Sequence, residues 1–186
     1  MSGSRLPLAL DELSWIDVAA ILARDPRLIV PVGAMEQHGA HLPLGSNVLI
    51  ARSLAVDLSR EFGVLRAPTF HYGVNVETER AYAGTASLSR KTLHRAMNEV
   101  LSDWEEHGIA EFIIISAHRH EPHLEALATL VTRRARIRVV EIWDVDIADL
   151  LEAQPGPMHA DEAETSIMLH LRSEEHTSEL QSQDGI

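Results

Sequence analysis

Short runs of aliphatic and β-branched residues alternate with amphipathic helical patterns along nearly the whole chain, and that alternation narrows the fold more than any other feature. Leu28-Ile29-Val30-Pro31-Val32, ending at Gly33, reads as a buried strand, as do 112–115 and 136–142. A further strand over 64–70 is interrupted by Pro68. Between these runs, residues 10–22, 47–62, 92–107, 124–134 and 161–171 carry apolar side chains at helical spacing. The clearest helix is 92–107, where Leu93, Met97, Val100, Leu101 and Trp104 share a face and Gly108 supplies the stop. Strands joined by helical crossovers run parallel. The pattern therefore predicts an α/β fold with a mostly parallel sheet, helices on both faces, and a ligand site at the carboxyl ends of the strands.

Composition removes several function classes. At 186 residues the chain suits one domain. No apolar run approaches the roughly eighteen residues of a membrane span, and residues 1–7 lack a signal-peptide core, so a cytoplasmic protein without membrane contact is expected. A net charge of −12 repels phosphate backbones and argues against nucleic acid as a partner. With no cysteine, any metal must be held by histidine and carboxylate. Phosphate-binding glycine loops and the Gly-x-Ser-x-Gly elbow do not occur.

Three clusters can carry chemistry. Glu36-Gln37-His38 follows the first strand, and alternate residues of an extended segment point the same way, so Glu36 and His38 can converge on one ion, with Asn47 opening the next helix. His118-Arg119-His120-Glu121-Pro122-His123 follows the third strand and concentrates three imidazoles, the commonest metal ligands, in six residues. The plain alternative there is a solvated loop. His159-Ala160-Asp161-Glu162-Ala163-Glu164 opens the last helix, where acids are also expected for dipole reasons alone. His118-x-His120-x-x-His123 is also similar to the histidine motif of the metallo-β-lactamase fold, but Pro122 replaces its aspartate and parallel α/β alternation suits that fold poorly.

Taken together, the clusters resemble the creatininase (creatinine amidohydrolase) family. Residues 31–44, Pro-Val-Gly-Ala-Met-Glu-Gln-His-Gly-Ala-His-Leu-Pro-Leu, are similar to its opening signature. Gly84-Thr85-Ala86-Ser87-Leu88, Ser116-Ala117-His118 and the segment 159–166 match its later motifs in the same order. The resemblance implies a three-layer α/β/α sandwich, a homo-oligomer, and a hydrolase of cyclic amides, formamides or related C–N bonds that uses one or two divalent ions such as Zn, Mn or Fe. It places Glu36, His38 and His118 at metal-ligand positions, Asn47 where the family has a bridging aspartate, and Glu162 at a carboxylate ligand position. His120 falls where the family's namesake enzyme has a carboxylate ligand, and His159 where that enzyme has a proton-transferring histidine, with Glu164 as its partner in catalysis.

This chain also departs from the pattern. An amide at position 47 offers one neutral oxygen, a poor bridge between two cations. Arg119-His120-Glu121 stands where the family has Gly-Gly-Asn, and Thr78 where a histidine often follows the acid at Glu77. Such changes keep open a non-catalytic homologue that serves as a binding or assembly module. Residues 172–186 resemble a translated sequencing adapter. Leu180 is their only leucine and they have no apolar face, so a creatininase-like domain over 1–171, incomplete at its C-terminus, is expected. Those fifteen residues carry one Arg and four acids, so setting them aside leaves a charge of −9 and the acidic character stands.

Overall fold

The computed structural model describes residues 6–183, with side chains through Arg172. Four parallel strands, β1 (Arg27–Val32), β2 (Leu65–Arg66), β3 (Glu111–Ser116) and β4 (Arg136–Glu141), form a sheet in the order β2-β1-β3-β4. The central ladder runs in register from Arg27 opposite Glu111 to Val32 opposite Ser116. Its carboxyl ends are thereby level, and the loops leaving β1 and β3 emerge side by side.

Helices α1 (Trp15–Leu22), α2 (Ser46–Phe62), α3 (Arg90–Glu106), α4 (Glu121–Ala128) and α5 (Glu162–Gln183) cover the sheet. Alternate strand residues face opposite layers. Leu28, Val30 and Val32 with Phe112 and Ile114 pack against α1, α3 and α4 through Leu22, Leu93, Met97, Leu101 and Leu127. The intervening Ile29 and Ile115 pack against Ala55 of α2. Ile50 and Ala51 of α2 then meet Ala163 and Met168 of α5. The result is the three-layer α/β/α sandwich, and each fully buried Leu, Ile or Phe contributes about 1.5–3 kcal/mol to it.

Element boundaries differ from the sequence pattern for local reasons. Helix α1 starts at Trp15 because the Ser14 hydroxyl caps it by accepting the Asp17 N–H, and Leu10–Glu12 forms a separate 3-10 turn. Strand β2 is only two residues long; past Pro68, which has no N–H to give, the chain touches the sheet once more where Phe70 bridges Val32. Helix α4 stops at Ala128, so the expected helical stretch 129–134 is a turn. The Glu105 carboxylate holds that turn by accepting the backbone N–H groups of Arg133, Arg134 and Ala135. Helix α5 runs past the expected end at Leu171 to Gln183, and residues 184–186 of the tail lie outside the described residues.

One glycine sets the site. A Cβ on Gly33, the residue after β1, would lie 2.6 Å from both the N and the Cα of Val48. Only a residue without a side chain lets the start of α2 press against the mouth of β1, which is how Asn47 comes to face Glu36.

Candidate metal centre

Five segments converge above the carboxyl ends of β1 and β3. The loop after β1 brings Glu36 and His38, the start of α2 brings Asn47, and the loop after β3 brings His118. The start of α5 brings Glu164, and the turn before it brings His159. Glu36, His38, Asn47, His118 and Glu164 are all buried, at 0–4% exposure. Glu36, Asn47, His118 and Glu164 border a cavity of about 280 Å³ that Glu79, Val76, Trp143, Met158, His120 and His159 also line.

Glu36 is the hub. Its Oε1 accepts the Asn47 Nδ2 amide at 2.6 Å and faces His118 Nδ1 at 2.8 Å. His159 Nδ1 lies 3.9 Å from the same oxygen. His38 donates from Nδ1 to the Glu36 carbonyl at 3.1 Å, which leaves Nε2 as the lone-pair nitrogen. Nε2 is fully buried with no hydrogen-bond partner, 4.0 Å from Glu36 Oε1 and 3.8 Å from Glu164 Oε2. A buried lone pair aimed at two carboxylates is an arrangement that a cation completes. Glu36, His38 and His159 each offer a ligand atom within 4.8 Å of the others, so this donor set fits a divalent metal.

The electrostatics agree. Burial pushes the Glu36 carboxyl up, but the hydrogen bond and charge of His118 prevail and hold it at about 2. Burial disfavours charge on His118 as well, yet Glu36 raises it above its ordinary value. Burial raises Glu164 to about 7, against the N–H bond it accepts from Ala160 at 2.6 Å. Glu79 is raised by burial and then by its nearness to Glu36. Three carboxyl groups thus crowd one small cavity.

The sequence-derived candidates do not all meet here. Glu36, His38, Asn47, His118, His159 and Glu164 come together, and His120 lines the cavity with Nδ1 donating to the Val74 carbonyl at 2.7 Å. Glu162, expected among the ligands, is turned away. Its carboxylate accepts the backbone N–H groups of Glu152 and Ala153 at 2.8 and 2.9 Å. Two helical steps rotate a side chain by about 200°, so Glu162 and Glu164 point to opposite sides, and Glu164 is the one that reaches His38. The phase is set by Asp161, which accepts the N–H of Glu164 at 2.9 Å. The patterns also passed over Glu79, which sits on a 3-10 turn, Glu77–Ala81, 3.5 Å from His159 Nε2.

Ala160 adopts φ 52, the left-handed region that L-residues with a Cβ rarely occupy. The bend turns His159 back toward Gln37, whose carbonyl accepts the imidazole Nε2–H at 2.8 Å.

A sequence model of creatininases, described as creatinine amidohydrolase, matches residues 11–184. The chain belongs to the creatininase family. It is 29% identical over 112 residues to creatinine amidohydrolase of Pseudomonas putida, a match covering 58% of this chain and 43% of that protein. It is 30% identical over 161 residues to the mycofactocin precursor peptide peptidase of Mycolicibacterium smegmatis, covering 78% and 58% respectively. The chain therefore spans about half the length of these curated relatives. A solved structure of a manganese creatininase superposes with a TM-score of 0.76 at 23% identity, over 88% of this chain and 72% of that one, which bears on fold. Among the described residues no helix is long and apolar enough to cross a membrane.

Proposed function

We propose that this member of the family is a metal-dependent hydrolase of an amide-type C–N bond, acting on a small molecule. Glu36, His38 and His118, all buried where His159 is open to solvent, would hold the ion, with Glu164 beside it and Asn47 and His120 at its border. The observation that carries this reading is the partnerless Nε2 of His38, buried between two carboxylates. A divalent ion such as Zn, Mn or Fe would supply Lewis acidity and lower the pKa of water at the site.

The chain's own groups divide the remaining work. His159 stands at the open side of the cavity with its Nε2–H fixed on the Gln37 carbonyl, so Nδ1 is free to take a proton and pass it to a leaving nitrogen. Glu79, 3.5 Å from the other ring nitrogen, steadies the imidazolium that forms. Trp143, whose indole N–H is satisfied by the Ala117 carbonyl at 2.9 Å, walls the cavity together with Val76 and Met158 and excludes water. A cavity of about 280 Å³ has room for a small amide or a chain terminus.

Metal content after chelator stripping and reloading with Zn, Mn or Fe tests this reading, with an amide-hydrolysis screen on the same samples. One ion per chain is expected, rising to two in Asn47→Asp, whose second oxygen can bridge. No ion in either protein overturns it. A second reading, a non-catalytic binding module, is favoured by the Asn47 amide that donates to Glu36 where the family has an acid. It predicts amide ligands that bind without turnover.

A further inference from the structure

His123 is the one imidazole of the 118–123 cluster that does not face the cavity. It is fully buried on the first turns of α4, its ring 4.8 Å from that of His118. The hydrogen-bond pattern fixes its state. Nδ1 accepts the backbone N–H of Val74 at 3.2 Å, so Nδ1 carries no proton. Nε2 then carries the proton and donates it to Ser116 Oγ at 3.2 Å. Ser116 Oγ also accepts the backbone N–H of His118 at 3.2 Å and donates to the His118 carbonyl at 3.3 Å. His123 therefore ties the end of β3 to residue 74.

The other side of the Val74 residue does the orienting. Its carbonyl lies 2.9 Å from His118 Nε2 and 2.7 Å from His120 Nδ1, and a carbonyl can only accept. His118 thus presents Nε2–H to Val74 and Nδ1 to Glu36, and His120 presents Nδ1–H to Val74. There is little room for this backbone to move. A Cβ on Gly73 would lie 2.8 Å from His123 Nδ1 and 2.9 Å from the Gly33 carbonyl.

We propose that His123 is a positioning residue for the metal centre: by gripping the Val74 N–H it sets the carbonyl that fixes which ring nitrogens of His118 and His120 face the site. Ligating imidazoles in general owe their orientation to the partner of their second nitrogen, and loss of such a partner lowers metal affinity about 10- to 100-fold. Here that partner is a main-chain atom, and His123 holds it in place.

The inference rests on the metal reading, and two side-chain replacements of similar polarity test it. In His123→Asn the amide oxygen stands where Nδ1 stood and can still accept the Val74 N–H. In His123→Gln the amide stands where Nε2 stood and meets Ser116 instead. Zinc affinity by chelator competition should be close to wild type in Asn and fall about 10- to 100-fold in Gln. Gln equal to wild type, or Asn falling as far as Gln, overturns the proposal.

Nitrogen-15 spectra of the imidazoles of the zinc-loaded wild type give a second readout that depends on no variant. Zinc on Nδ1 of His118 with Nε2 protonated is expected, and zinc on Nε2 overturns the proposal. Should the wild type hold no zinc, the functional reading fails by itself. The positioning claim is then read in the metal-free protein, where His123 must show a protonated Nε2 and a bare Nδ1; the opposite tautomer overturns it.

Discussion

The two halves of the site are built differently. The half that comes from β1, α2 and β3 is buried and cross-bonded: Glu36 is gripped by Asn47 and His118, and His118 by the Val74 carbonyl. The half that comes from the turn before α5 is half-exposed and bent, with His159 37% open and Ala160 in a left-handed conformation. Strand ends fixed by a six-residue ladder suit holding an ion, whose ligands must stay within a few tenths of an ångström. A strained turn at the cavity's edge suits proton traffic, which requires access to solvent and substrate.

The comparison is broken most severely by emptying the buried half. His38→Ala and His118→Ala should each abolish metal retention, read as bound ion per folded chain. His159→Ala should retain the ion and lose turnover. Equal retention in all three would erase the division. Next in size is the contrast within α5: Glu164→Gln should weaken zinc binding about 10-fold or more, whereas Glu162→Gln should leave it unchanged, because its carboxylate serves the 152–153 backbone.

That contrast also marks how far the sequence could be read. The alternation of apolar runs and helical faces was enough to give the layered parallel sheet, and the motifs around Glu36, His38 and His118 lie in the loops that follow β1 and β3, so the carboxyl ends of the strands marked where the site would be. Glu162 and Glu164 are two residues apart on a helix. Choosing between them needs the helix phase, which the cap by Asp161 sets and composition does not. Glu79 was out of reach because its 3-10 turn has no hydrophobic period, and its meaning comes from His159, eighty residues later. The short α4 has the same kind of cause: Glu105 on α3 claims the N–H groups of 133–135.

Smaller effects sharpen the picture away from the ion. The three backbone N–H bonds hold the Glu105 carboxyl below its ordinary value, led by that of Arg133. A lowered carboxyl stabilises the fold above the unfolded-state pKa, and the stabilisation is lost as pH falls through the folded value. Glu105→Gln should therefore melt below wild type at neutral pH, with the gap closing as the pH drops below about 4.5. A gap independent of pH would assign the effect to packing. The smallest change is Ala160→Gly. Relief of about 1–2 kcal/mol of left-handed strain is offset in part by the freer unfolded chain, leaving a thermal stabilisation of less than about 1.5 kcal/mol. His159 should be less tightly aimed in that variant, seen as a lower kcat with unchanged metal content.

The acceptor shared by His118 and His120 is a peptide oxygen, and that has a genetic consequence. No codon specifies it. In a saturation library scored for metal retention, position 74 should accept other aliphatic residues freely and reject proline, which has no N–H for His123. Positions 73 and 123, which keep that oxygen in place, should accept almost nothing. A functional group so encoded is invisible at its own position and leaves its trace only in its neighbours.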